Sequence, residues 1–378
     1  MSELRVLMAG GGTAGHLFPC IAVEEELTEL TPGVQVRFVG ARGRIDERIL
    51  ASRGLPHELI DARPVPYRLA PATLRALGAL LRAVGQSGRI IRDFRPHVLF
   101  TTGGYVGAAV GLAARRAGLR TVLHAADAQP DRGNRLLARW ACAITTVAPA
   151  AARTLGHGAR VTGNPIRREV ARATREDGIR ELGLDAAAPT LLVTGGSQGA
   201  RRLNLAVLEA LPELLGGLGV QVVHLCGAAD YETLRAAAVE RIGVAQRYHL
   251  IEHLPNPGPA LAAADLVVTR AGAGSLAEVC LHGVPMIVVP YPFAGGHQRL
   301  NAEPLVQAGA AVIVEDEQFT AGRLVELARE LLGDEPRLRE MAQAARAAAF
   351  PSAAREVAEV VLGVAHGGPC RGEAEAVE

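Results

Sequence analysis

Leu4-Arg5-Val6-Leu7-Met8-Ala9-Gly10-Gly11-Gly12-Thr13-Ala14-Gly15-His16 reads as an apolar strand, a tight glycine turn and the first residues of a helix. Such a turn lets backbone come close to a ligand, and the unpaired N–H groups of a helix start favour anionic groups. A second unit of the same kind stands nearly half a chain later, where Thr190–Thr194 runs into Gly195-Gly196-Ser197-Gln198-Gly199-Ala200. Two such units predict two Rossmann-like domains facing each other, with a phosphate-bearing ligand between them.

The rest of the chain repeats the alternation of short apolar strands and helical segments. In the first half the predicted strands are Leu4–Ala9, Val34–Val39, His57–Asp61, Val98–Thr102, Thr121–His124, Ile144–Val147 and Ala159–Thr162. In the second they are Thr190–Thr194, Val220–Cys226, His249–Glu252, Leu266–Thr269, Met286–Pro290 and Ala311–Val314. Alternation of this kind predicts parallel sheets covered on both faces. Proline and glycine in Gly163-Asn164-Pro165 break the pattern, which places the domains at 1–163 and 164–349. Phe350-Pro351 is expected to kink the last helical stretch, with a helix at 350–365 returning to the first domain and a disordered Gly, Pro and Glu-rich tail at 366–378.

Bulk properties exclude several classes. With 378 residues the chain can bury two cores, and a net charge of +1 with 3% aromatics gives no footing for nucleic acid. All 40 basic side chains are arginine, so P-loop lysine and Schiff-base chemistry are out. The five cysteines, Cys20, Cys142, Cys226, Cys280 and Cys370, form no Cys-x-x-Cys pair and read as thiols in a reducing cytoplasm. The start of the chain shows no signal-peptide pattern, and no apolar run approaches the roughly 20 residues of a spanning helix.

The candidate chemistry lies after the strands. Gly10, Gly12 and Gly15 satisfy Gly-x-Gly-x-x-Gly, but the second strand ends in Arg42 rather than the acidic residue of a NAD site, which leaves only an NADP reading. His16 stands at a helix start, where protonated imidazole is disfavoured, so it can act as a neutral base toward a sugar hydroxyl. Arg270-Ala271-Gly272-Ala273-Gly274-Ser275-Leu276-Ala277-Glu278 forms a second anion site, with Glu278 suited to ribose hydroxyls. His297, Gln298 and Asn301 follow another strand and suit sugar hydroxyls. There is no Asp-x-Asp, and the runs Glu24–Glu26 and Glu315-Asp316-Glu317 read as solvated faces. No metal and no cofactor is therefore expected, and helix N-termini with arginines such as Arg167 must meet a diphosphate leaving group. Arg68, Arg75, Arg82 and Arg89 recur every seven residues, opposite Leu74, Leu77, Leu80, Leu81, Val84 and Ile91. That pattern is either an ordinary surface helix or a basic edge resting on an anionic membrane. Pro71, Gly78 and Gly85 argue against one long helix there.

Seven ordered segments resemble the MurG family of peptidoglycan N-acetylglucosaminyltransferases, in glycosyltransferase family 28. They are GGTAGH (11–16), TGGYVG (102–107), VLH (122–124), GNPIR (163–167), GGSQGA (195–200), Arg270–Glu278 and GHQRLNA (296–302). The resemblance runs from Leu4 to Val361. It implies a GT-B fold, two Rossmann-like domains with a deep cleft. It also implies transfer of GlcNAc from UDP-GlcNAc to the C4 hydroxyl of lipid I, with inversion, giving lipid II at the cytoplasmic face of the cell membrane. By the same resemblance His16 is the general base, and Tyr105, His124, Asp127 and Asn134 lie on the acceptor side. Thr13, Ala14, Gly15, Arg167, Ser197, Gln198, Leu254, Ala273 to Glu278 and Gln298 bind the donor, with Leu254 at the uracil.

The sequence departs from the family in three places. Ala14 stands for a glycine, and His124-Ala125-Ala126-Asp127 lacks the usual glutamate and carries a carboxylate in place of an asparagine. A negative charge there would repel an anionic acceptor. Three alternatives follow: a transferase with another acceptor, a UDP-GlcNAc epimerase of the same fold, and an NADP oxidoreductase.

Overall fold

The computed structural model describes residues 3–64, 71–156, 158–196, 199–243, 246–292 and 297–371, with the side chains of 71–77 and 297 outside that description. Arg68, Ser197 and Gln198, and the side chains of Leu74, Arg75, Leu77 and His297, therefore lie outside the described residues. The chain forms two compact units, Met1–Arg167 with Ser352–Glu378, and Arg168–Pro351.

The first unit is built on seven parallel strands: β1 (Arg5–Ala9), β2 (Gln35–Ala41), β3 (His57–Ile60), β4 (Val98–Thr101), β5 (Arg120–Ala125), β6 (Ala143–Thr146) and β7 (Ala159–Val161). Their order is β3-β2-β1-β4-β5-β6-β7, so the winding reverses between β1 and β4. The second unit has β8 (Thr190–Thr194), β9 (Gln221–Leu225), β10 (Tyr248–Ile251), β11 (Leu266–Thr269), β12 (Met286–Val288) and β13 (Ala311–Ile313), ordered β10-β9-β8-β11-β12-β13. Every predicted strand is present. Both glycine turns leave the strand at which the winding reverses, the place where open parallel sheets bind ligands.

Period-two alternation divides β1 between two cores. Val6 and Met8 pack with Leu17, Ile21, Phe38 and Phe100 on one face, where Val357, Ala358 and Val361 of the last helix complete the layer. Leu7 and Ala9 face Ala83, Val84, Ile91, Val106 and Val110 on the other. Each fully buried side chain of this size contributes about 1.5–3 kcal/mol. In the second unit Leu191, Val193, Val222 and Val268 meet Leu203, Val207, Leu211 and Leu327 in the same way.

Several expectations need correction. Phe350-Pro351 does not kink one helix but separates two, Glu335–Ala347 and Ala353–Ala365. Residues Pro71–Phe94 form one unbroken helix despite its glycines. Pro71 holds its first position, where a missing N–H costs nothing, and the buried face of Ala79, Ala83, Val84, Ile91 and Phe94 outweighs about 1 kcal/mol per glycine. Leu81 is not on the buried side but 57% exposed, beside the exposed Arg82. Among the described residues, no helix is long and apolar enough to cross a membrane.

Cys142 and Cys370 are bonded to each other rather than being thiols. The segment before residue 372 is tied down rather than disordered, because Arg371 N donates to Cys142 O (2.9 Å) and Arg120 Nη1 to Gly368 O (2.6 Å). A pair 228 residues apart carries no spacing signal. Cys20, Cys226 and Cys280 are free and buried. Thiol titration of the denatured protein should thus find three reactive groups before reduction and all five after it. Five before reduction would contradict the bond.

Candidate functional site

In the first unit the turn after β1 delivers His16 into the first turn of helix Ala14–Leu30. Gly12 alone in this turn has a left-handed backbone, φ +89°, and a Cβ there would lie 2.3 Å from the Tyr105 ring. Ala14, by contrast, is the buried first residue of the helix at an ordinary φ, so the loss of a glycine there costs the turn nothing. Thr13 and Gly15 are exposed. The His16 carbonyl accepts from Thr102 Oγ1 (2.7 Å), which locks the helix start to the exit of β4. A Cβ on Gly104 (φ +65°) would crowd the imidazole edge at 3.2 Å, so the Cδ2–Nε2 edge of the ring lies close to that backbone. Its Nδ1 is buried and makes no hydrogen bond among the described residues.

Other polar groups gather at the carboxyl edge of the same sheet. His124, on β5, is fully buried and its Nδ1 meets Thr145 Oγ1 at 2.9 Å. Burial pushes its pKa down to about 4, a neighbouring Asn164 opposes that, and the charge of His16 adds to it. Among the described residues Asn134 Oδ1 is buried without a hydrogen bond, and Asn164 is the polar neighbour of the His124 ring. Asn134 fits only because Gly103 lacks a side chain, since a Cβ there would sit 1.5 Å from Oδ1. Asp131 caps the helix Arg132–Leu137 by accepting from Asn134 N (2.6 Å). Tyr105 and Asp127 are half-buried, and Ala125 is buried at the end of β5. Arg167 is only 1% exposed, with its guanidinium 3.9 Å over the Phe18 ring, so it belongs to the packing around the His16 helix.

Sequence reading missed Asp46. This carboxylate is fully buried and accepts from Gly12 N (2.9 and 2.7 Å to its two oxygens) and from Ala41 N (2.9 Å). Its isolated position gave no signal. The glycines of Gly40 and of the first turn, which make room for it, were the available hint.

In the second unit the turn after β8 is equally confined. Gly196 and Gly199 have φ of +77° and +71°, and a Cβ on Gly199 would meet Cys226 O at 2.3 Å. Asn204 Nδ2 ties the following helix to the same carbonyl (2.9 Å). Helix Ala273–His282 begins after Gly272 with no side-chain cap, so the N–H groups of its first turn are left for an anion. Leu276 is buried, while Ala273, Gly274, Ser275, Ala277 and Glu278 are half-buried, as is Leu254 beyond β10. Gln298 Oε1 accepts from Ala271 N (3.1 Å) and Tyr291 N (2.9 Å), and Asn301 Nδ2 donates to Ala271 O (3.1 Å). The two side chains thereby hold the approach to that helix. Asp316 is not solvated as its acidic run implied. It is 9% exposed, 2.6 Å from Arg270 Nη1 and 3.2 Å from Arg202 Nε, because the short turn Asp316–Gln318 directs it inward.

Comparison with known proteins agrees with this division. Residues 6–146 match the glycosyltransferase family 28 N-terminal domain and residues 190–357 the family 28 C-terminal domain. A UDP-N-acetylglucosamine–N-acetylmuramyl-(pentapeptide) pyrophosphoryl-undecaprenol N-acetylglucosamine transferase of Clavibacter michiganensis is 41% identical over 97% of this chain and 98% of its own. The enzyme of the same name from Acidothermus cellulolyticus is 40% identical over 95% and 97%. Among solved structures, Acinetobacter baumannii MurG superposes with a TM-score of 0.72 at 27% identity, covering 95% of this chain and 99% of that one. A UDP-GlcNAc 2-epimerase from Neisseria meningitidis reaches 0.67 at 14% identity over 95% and 100%, a likeness of fold alone.

Two buried imidazoles set a pH dependence. Burial pushes His124 to about 4 and His224 to about 3. An unfolded imidazole titrates near 6.5, so the unfolded chain takes up protons that the folded one refuses. Their contribution to stability is present above about pH 6.5 and lost as pH falls toward 4. Melting temperature should drop between about pH 7 and about pH 5, and His224→Gln should reduce that slope. A melting temperature flat across this range would contradict the burial of both rings.

Proposed function

The chain belongs to glycosyltransferase family 28, and on that premise we propose how its two glycine turns divide one reaction. It is a UDP-GlcNAc-dependent transferase of peptidoglycan synthesis that moves N-acetylglucosamine onto the N-acetylmuramyl group of lipid I. The observation that carries this reading is 40–41% identity, over nearly the whole chain, with relatives named for that transfer. It favours lipid I over another acceptor despite Ala125 and Asp127.

The second unit holds the donor. The first N–H groups of helix Ala273–His282 and the turn after β8 meet the diphosphate, and Glu278 accepts hydrogen bonds from the ribose. The Leu254 backbone faces the uracil. Because Gln298 commits its carbonyl oxygen to Ala271 and Tyr291, its NH₂ group is the end offered to the sugar hydroxyls. The first unit holds the acceptor beside Tyr105, His124, Asp127 and Asn134, with Thr13–Gly15 presenting backbone to the substrates. His16 takes the proton of the C4 hydroxyl as its oxygen bonds to the anomeric carbon. The bond from that carbon to the β-phosphate breaks with its electrons leaving on UDP, and the configuration inverts.

The acceptor is lipid-borne, and one edge of the first unit suits an anionic lipid surface at the cytoplasmic face of the membrane. Leu81 stands exposed between Arg82 and the rest of its helix, Arg89 follows on the exposed side, and a cavity of about 580 Å³ is lined by Arg42, Arg44, Arg63 and Arg82. Asp61 in that cavity is already paired with Arg42 (3.3 Å). Each arginine near such a surface is worth about 1 kcal/mol.

In a transfer assay with UDP-GlcNAc and a soluble lipid I analogue, His16→Ala should lower turnover by about 10²–10⁴-fold with UDP binding retained. Near-normal turnover would remove His16 from the role of base. Leu81→Asp with Arg82→Glu should cut sedimentation with anionic vesicles by about tenfold while leaving transfer to the soluble acceptor unchanged. Equal vesicle binding would place the membrane contact elsewhere.

A further inference from the structure

Asp46 is a buried charged group that the reaction as described leaves unused. It is the second residue of helix Ile45–Ser52, yet its carboxylate serves other segments. It receives the N–H of Gly12, in the turn that carries His16, and the N–H of Ala41, at the end of β2. The surroundings are shaped to admit it. A Cβ on Gly11 would lie 2.3 Å from Asp46 Oδ2, and one on Gly40 would lie 3.0 Å from its Cβ. Burial raises its pKa, the N–H donors oppose the rise, and so does the charge of His16, which means carboxylate and imidazole feel one another.

Purely structural needs do not explain an acid here. Two main-chain N–H groups can be satisfied by neutral oxygens, whereas a buried carboxylate costs several kcal/mol unless charge or hydrogen bonding compensates it. Apart from Asp127, the carboxylate on the acceptor side, the described groups around His16 supply no negative charge. They are Cys20 on its own helix, with its thiol pushed up to about 12, Thr102 at the exit of β4, Tyr105 on the next helix and the neutral His124 on β5. Arg44 acts on the Tyr105 hydroxyl, and Arg167 is stacked on Phe18.

We propose that Asp46 is a positioning residue for His16: as a buried anion it fixes the Gly11–Gly12 turn beneath the imidazole and supplies the countercharge for the imidazolium formed when the acceptor proton is taken. The proposal rests on His16 being the base, and the two are tested apart. Asp46→Asn, His16→Ala and the unaltered enzyme are compared in transfer to the soluble lipid I analogue, with kcat and KM followed across pH. Asp46→Asn should lower kcat by about 10–100-fold and leave the KM for UDP-GlcNAc within about threefold. It should also move the acid limb of the kcat profile to lower pH by about half a unit or more, because the imidazolium has lost its neighbouring charge. A fall in kcat with the acid limb unmoved makes Asp46 structural only and overturns the proposal. Unchanged kcat in Asp46→Asn beside a dead His16→Ala also overturns it, while sparing the base. An active His16→Ala overturns both. If Asp46→Asn does not fold, NMR of the unaltered protein decides. The Gly12 amide signal should titrate with the same midpoint as the His16 ring, and an amide blind to that titration refutes the coupling.

Discussion

A parallel sheet whose winding reverses at its first strand leaves a crevice at the carboxyl edge that no crossover covers, and each unit of this chain places a glycine turn there. The constraint is topological, but it works through single atoms. At Gly12 and at Gly199 the backbone is left-handed and a Cβ would strike a ring or a carbonyl within 2.3 Å. The turns are therefore narrow enough to aim a helix start at a ligand, and the buried strands beneath them are long enough to hold that aim. Removing the reversal would return the helices to one side, and with them the N–H groups that these two turns aim into the crevice.

The two units use the same turn differently because different residues follow it. After β1 the helix brings His16, β5 brings His124, the helix Arg132–Leu137 brings Asn134, and the segment after β7 brings Asn164. After β8 the feature presented is main chain, reinforced by a second uncapped helix start at Ala273. A transferase needs both: a side chain that changes protonation where the nucleophile sits, and fixed dipoles where charge develops on the leaving diphosphate. The fold by itself does not choose the reaction, since an epimerase at 14% identity shares it to a TM-score of 0.67. The choice is made by full-length identity with named transferases and by the side chains set into the first crevice.

Much of this was legible in the order of residues. Apolar runs of four to seven between glycines and helical segments identified all thirteen strands, because burial on both faces of a parallel sheet leaves a continuous apolar signature. His16 and the Ala273–Glu278 segment were legible because they follow strands directly. What escaped was set by partners far along the chain. Asp46 answers Gly12 across 34 residues, and Cys142 answers Cys370 across 228. Asp316 looked like its neighbours Glu315 and Glu317 until one turn of backbone pointed it at two arginines. The helix Pro71–Phe94 escaped for a different reason: its glycines weaken it locally, while the core face that stabilises it is spread over six turns.

The distribution of buried polar atoms separates the two crevices further. In the first unit His16 Nδ1 and Asn134 Oδ1 are buried without a hydrogen bond among the described residues. Each such group costs about 1–3 kcal/mol, a cost that packing alone would have removed by substituting an apolar side chain. In the second unit the corresponding side chains are already committed, Gln298 and Asn301 to Ala271, Asn204 to Cys226 and Asp230, and Arg270 to Asp316. That asymmetry follows from the chemistry asked of each half. A nucleotide diphosphate can be held by main-chain N–H groups whose supports are closed in advance. An incoming hydroxyl must instead find donors and acceptors that the protein has not already used.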